Sequence, residues 1–143
     1  MALKWRDQLS VGNEVIDADH KQLIENLNQV EKYIEIKNQR GLTTSLDNLY
    51  QFYKKHSASE LKIASAVSYP QVSQLKTCHE GLLKSLEQVR SELISDPTST
   101  KSTQSSIAGF NSFVKDWLTN EVIKENLPLK PFLAKRSPMF DPR

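Results

Sequence analysis

The stretch Ile16-Asp17-Ala18-Asp19-His20-Lys21-Gln22-Leu23-Ile24-Glu25-Asn26-Leu27 decides how the chain is read. Continued to Val30 and Ile34, it places Ile16, Leu23, Ile24, Leu27, Val30 and Ile34 at the i, i+3, i+4, i+7 spacing of one buried helical face. Asp17 and Asp19 stand near its start, where carboxylates favour the positive end of the helix dipole. Asn38-Gln39-Arg40-Gly41 breaks the period, and Gly41 is the expected C-cap.

The same period returns along the rest of the chain. A second stripe runs through Leu42, Leu46, Leu49, Phe52, Tyr53, His56, Glu60 and Ile63 and ends near Val67-Ser68-Tyr69-Pro70. Pro70 fits the first turn of the next helix, where its missing N–H does no harm. A third stripe carries Val72, Leu75, His79, Leu82, Leu83, Leu86, Val89 and Leu93. Asp96-Pro97-Thr98-Ser99-Thr100 is the clearest loop. A fourth stripe holds Ile107, Phe110, Val114, Trp117, Leu118, Glu121 and Val122. Residues 1–15, with Trp5, Leu9 and Val11, read as an arm packed over these helices, and residues 127–143, with four prolines, as a tail. The expectation is an all-α single domain over 1–143: an antiparallel up-down four-helix bundle at about 16–126, flanked by arm and tail.

Composition narrows the function classes. With 143 residues, 38% hydrophobic and 25% charged, the chain can build one modest core. Nineteen basic against seventeen acidic residues leave a charge of +2, without the clustered basic face of a nucleic-acid binder. The one cysteine, Cys78, excludes an internal disulfide framework. No apolar run approaches the roughly 18 residues that span a bilayer. The first residues lack the apolar stretch of a secretory signal, so the cytoplasm is the expected compartment.

The chemistry lies in residues that interrupt the apolar stripes. The three histidines, His20, His56 and His79, fall on the inner faces of three different helices. A lone core histidine is usually a satisfied polar group, but a bundle points all three into one interior, where each needs a partner. Glu60 follows His56 by four residues, one turn along the same face. Glu121 interrupts the fourth stripe between Trp117/Leu118 and Val122. A buried carboxylate must be paired, protonated or metal-bound. His20, His56, Glu60, His79 and Glu121 are therefore candidate metal ligands. Two imidazoles and a carboxylate suit non-haem iron, and also zinc or manganese. Cys78, one helical step from His79, reads as a packing residue.

At this point the sequence resembles the hemerythrin family in its bacterial single-domain form. Trp5-Arg6-Asp7-Gln8-Leu9-Ser10-Val11-Gly12-Asn13 is similar to that family's arm, and Ile16 to Ile24 to its first-helix signature. His56-Ser57-Ala58-Ser59-Glu60 matches its H-x-x-x-E pair, Tyr69-Pro70 and His79 keep its spacing, and Trp117-Leu118 with Pro131-Phe132-Leu133 looks like its last helix and tail. The resemblance implies two non-haem irons held by five histidines, a bridging Glu and a bridging Asp, with O2 bound at one iron. Carried over, His20 and His56 belong to one iron, Glu60 to the bridge, and His79 to the other iron. Three positions depart from the pattern: Leu75 and Glu121 stand where it has histidines, and Asn126 where it has the bridging Asp. The losses fall on one metal's side or its bridge, so one iron is expected on the intact half, with a second held weakly or absent.

Three functions follow as expectations. The first is binding of O2 or a related diatomic ligand such as NO, for carriage, storage or sensing. The second is an iron enzyme that activates O2 or peroxide, favoured by the extra carboxylate of Glu121. The third is a metal-free interaction module, favoured by the missing ligands and opposed by the retention of His20, His56, Glu60 and His79.

Overall fold

The computed structural model describes residues 3–94 and 103–142. Four helices form the body: α1 (Glu14–Glu35), α2 (Gln39–Ala66), α3 (Val72–Ile94) and α4 (Thr103–Asp116). Among the described residues no strand occurs. α1 packs on α2 and α4, and α3 on the same two, which closes the expected four-helix bundle. The loop expected at Asp96–Thr100 lies outside the described residues.

α4 does not end at Asp116. It continues through Trp117–Asn126 as a π-helix, with the wider i→i+5 hydrogen bonding. A 3-10 turn, Leu127–Leu129, then leads into the short helix α5 (Lys130–Leu133). Pro128 and Pro131 sit in the first positions of these two turns, where no N–H is needed. Two of the four prolines that read as a mark of irregular tail, Pro128 and Pro131, thus lie at the start of helical turns, and Leu129 and Leu133 are buried.

The two chain ends meet at the start of α1. Asn13 caps the helix by accepting from the Ile16 N–H at 3.1 Å. The Glu14 N–H, which has no partner within the helix, donates to the Pro138 carbonyl at 2.7 Å. The Asn13 side-chain amide donates to the Phe140 carbonyl at 2.9 Å. From the other end, the Val11 N–H and the Ser10 hydroxyl both donate to Asp17. Asp17 therefore anchors the arm as well as favouring the dipole.

Two local expectations are corrected. Gly41 does not cap α1; it lies in the first turn of α2, under the Tyr33 ring, where a Cβ would stand 2.4 Å from a ring carbon. The left-handed turn between α1 and α2 is made by Lys37, at φ 55°, and Asn38 caps α2 by accepting from the Gly41 N–H at 2.9 Å. Pro70 precedes α3 rather than opening it, in the turn that separates Ala66 from Val72.

The apolar interior is divided in two. The larger cluster runs from Leu23, Leu27 and Val30 of α1 through Leu46, Leu49 and Tyr53 of α2 to Leu82, Leu86, Phe110 and Trp117. The smaller joins Val11, Ile16, Ile63, Ala64, Leu75, Leu129 and Leu133. Each fully buried Leu or Ile contributes about 1.5–3 kcal/mol. The division falls at one level on every helix. His20 lies between Ile16 and Leu23, His56 and Glu60 between Tyr53 and Ile63, His79 between Leu75 and Leu82, and Glu121 and Asn126 between Trp117 and Leu129. A polar layer is thus enclosed between two apolar ones.

Candidate metal centre

All five residues singled out from the sequence lie in that layer. His20, Glu60 and Glu121 are 0% exposed, His56 1% and His79 3%. α2 supplies Tyr53, His56 and Glu60 from one face, at the three- and four-residue steps of an α-helix. α1 supplies His20 and α3 supplies His79. The π-helical stretch supplies the rest. On an α-helix Glu121 and Asn126 would lie about 140° apart around the axis, by the 3.6-residue turn. The i→i+5 winding turns both inward, and both are fully buried.

Glu60 is the hub. Its Oε2 lies 2.9 Å from His56 Nε2 and 3.4 Å from His20 Nε2. Its Oε1 accepts from the Asn126 side-chain amide at 2.5 Å and lies 3.1 Å from His79 Nε2. Glu121 is held on both oxygens: Tyr53 donates to Oε1 at 2.7 Å, Trp117 Nε1 donates to Oε2 at 2.5 Å, and His79 Nε2 lies 3.0 Å from Oε1. Outside the layer, Asp19 meets His56 Nδ1 at 3.1 Å. That contact fixes the ring so that Nε2 faces Glu60.

The short approaches of His20 and His56 to Glu60 Oε2 are not aligned as hydrogen bonds. His20 Nε2, His56 Nε2 and Glu60 Oε2 are buried without any hydrogen-bond partner among the described residues. Buried polar atoms left in this way are rare and call for an explanation. A cation between them provides one. Two triads are gathered closely enough to hold a metal ion, His20–His56–Glu121 and Glu60–His79–Glu121, each with ligand atoms within 4.8 Å of one another. Cys78 belongs to neither. Two imidazoles and carboxylate oxygens fit non-haem iron.

Electrostatics tie the same groups together. Burial disfavours charge on His56, but the Glu60 carboxylate outweighs it and raises the imidazole from 6.5 to about 10. For His79, burial is likewise overcome, by hydrogen bonding to Glu121 and Glu60, and its pKa rises to about 9. Glu60 moves the other way: burial would raise it, yet His56 and the other imidazoles hold it well below the usual carboxylate range. Burial, reinforced by Glu121, pushes the Tyr53 hydroxyl well above 10 and the Cys78 thiol up to about 12.

Several members of the site were not read from the sequence. Tyr53 and Trp117 stood on apolar stripes and read as core; the signal was their spacing, three residues before His56 and four before Glu121. Asp19 read as a dipole residue because its partner comes from another helix. Glu125 is also buried and accepts from Gln74 at 2.8 Å; the signal for it was its four-residue step from Glu121, one turn along the same face.

A helical bundle with a buried layer of imidazoles and carboxylates defines a class, the four-helix bundles whose cores carry groups able to hold a metal ion. Within that class, the chain is 28% identical over 88 residues to a bacteriohemerythrin of Stenotrophomonas maltophilia (strain R551-3). The match covers 62% of this chain and 58% of that protein. No family model matches the chain. The hemerythrin-like reading of the sequence is thus borne out by both fold and similarity.

Proposed function

We propose that the polar layer holds non-haem iron and that the protein binds O2 or a related diatomic ligand there, for carriage, storage or sensing in the cytoplasm. One observation carries the reading: three buried donor atoms, His20 Nε2, His56 Nε2 and Glu60 Oε2, converge without hydrogen bonds in a water-poor interior. Apolar side chains would remove that unmet demand, whereas a cation satisfies all three at once.

Ferrous iron bound there would supply an open coordination position and an exchangeable electron for the diatomic ligand. The chain's own residues do the rest. Asp19 orients His56 and makes its Nε2 more basic. The two apolar clusters exclude water from above and below the layer. Trp117 closes it laterally, with its ring edge-on to His20 at 6.0 Å between centroids.

Protein expressed in iron-supplemented medium should retain iron through purification. The reduced protein should change its visible spectrum when O2 or NO is admitted and recover it when the gas is removed. A colourless protein that consumes O2 and accumulates an oxidised product would favour the enzyme instead. Negligible iron, with a stability gain from His56→Leu, would favour the metal-free module.

A further inference from the structure

We infer that the chain carries one metal ion, on His20 Nε2, His56 Nε2 and Glu60 Oε2, and that His79, Glu121 and Asn126 form a hydrogen-bonded block rather than a second metal site. The inference rests on the iron-binding reading above and specifies its stoichiometry. By proximity alone Glu121 could complete either side, since it offers an atom within 4.8 Å of the His20–His56 pair and of the Glu60–His79 pair. The use already made of those atoms separates them.

On the block side the atoms that meet between Glu60 and Glu121 are engaged, although His79 Nδ1 and Asn126 Oδ1 are buried without a hydrogen-bond partner among the described residues. His79 Nε2 sits between Glu60 Oε1 at 3.1 Å and Glu121 Oε1 at 3.0 Å, the place of a shared N–H. The Tyr53 hydroxyl and the Trp117 N–H take up the Glu121 oxygens, and the Asn126 amide takes up Glu60 Oε1. A metal entering here must displace the His79 proton and compete with three neutral donors fixed by packing. It would also lack a further ligand from α3. Leu75, one turn before His79, is fully buried among Ile16, Ile63 and Leu129 and offers only carbon.

On the other side, His20 Nε2 and His56 Nε2 approach Glu60 Oε2 at 3.4 and 2.9 Å as ion-pair contacts, with no aligned hydrogen bond among the described residues. Glu60 joins the two halves, with Oε1 committed to the block and Oε2 turned toward the two imidazoles. The block therefore acts as a positioning device. It fixes the carboxylate from behind and leaves its second oxygen free for the metal. Of the five donors expected from the sequence, His79 and Glu121 are assigned to this role.

The test is metal content of the full chain, stripped with chelator, reloaded anaerobically with Fe(II) and dialysed to equilibrium. One iron per chain is expected, a result that needs no variant. Glu121→Gln and Asn126→Ala should keep that single iron, with affinity reduced within the roughly 10- to 100-fold range of an outer partner's loss. His20→Ala and His56→Ala should lose more. Two irons per wild-type chain would overturn the inference and leave the iron-binding reading intact. So would a single iron that survives His56→Ala and disappears in Glu121→Gln. No iron at all would overturn the functional reading itself.

Discussion

His56 and His79 are nearly equally buried and meet the same carboxylate, yet their commitments differ. His56 gives Nδ1 to Asp19 and brings Nε2 to 2.9 Å from Glu60 Oε2 without a hydrogen bond. His79 leaves Nδ1 without a hydrogen-bond partner among the described residues and wedges Nε2 between two carboxylate oxygens. Residue type and burial are the same on the two sides. What differs is which nitrogen is already used, and that decides whether an imidazole is available to a cation or is part of a polar network. The same contrast separates the two oxygens of Glu60.

The largest expected effect breaks the open side. His56→Ala should reduce bound iron to near zero, while Cys78→Ser leaves it unchanged, because Cys78 belongs to neither gathered triad. Metal analysis of both variants, purified side by side, reads the difference. Equal iron in the two would remove His56 from the ligand set.

Next comes the residue both sides share. Glu60→Ala in metal-stripped protein leaves His56, His79 and Asn126 facing an empty position. Breaking a buried, multiply paired charge costs about 3–5 kcal/mol. Urea denaturation should show a loss of that order, and a change under about 1 kcal/mol would mean that Glu60 does not hold the layer together.

A more gradual effect follows from pH. In the stripped protein His56 and His79 titrate near 10 and 9, above their ordinary 6.5. Their contribution to stability is complete below 6.5 and fades as pH rises through 9 to 10. Glu60, lowered from 4.5, contributes above 4.5 and fades as pH falls below it. The urea midpoint of stripped protein should therefore be highest between about 4.5 and 6.5 and decline toward pH 10. Iron affinity should rise over the same alkaline range, because a ligating imidazole must lose its proton. A midpoint that climbs between pH 6.5 and 9 would contradict the pairing of these histidines with Glu60.

Much of this was legible in the chain itself. Four apolar stripes at helical spacing gave the bundle, since burial of one face is the strongest signal a helix carries. His20, His56, Glu60, His79 and Glu121 were legible as interruptions of those stripes, a polar residue in an apolar row being costly enough to imply a purpose. The division of labour among them was not. It depends on contacts between helices, Asp19 with His56 and Asn126 with Glu60, that no spacing within one helix encodes. The π-helical winding was hidden for a related reason. It follows no residue signature, yet it brings Glu121, Glu125 and Asn126 inside together. Gly41 misled because a glycine after a helix usually caps it, whereas here Lys37 takes the left-handed turn.

The smallest expected effect sharpens the contrast most, because it touches only the block. Tyr53→Phe keeps the ring in the larger apolar cluster and removes one donor to Glu121 Oε1. Glu121 retains the Trp117 N–H and the contact with His79, so its charge stays compensated. The expected loss is that of a single buried hydrogen bond, about 1 kcal/mol. Combining it with Glu121→Gln in a double-mutant cycle isolates the Tyr53–Glu121 coupling from the packing of the ring. Iron per chain should not move in either variant, since neither removes an atom from the open side. If loss of the hydroxyl alone lowers iron content, Tyr53 acts at the metal, and the boundary between an open half and a closed half has to be redrawn through Glu121.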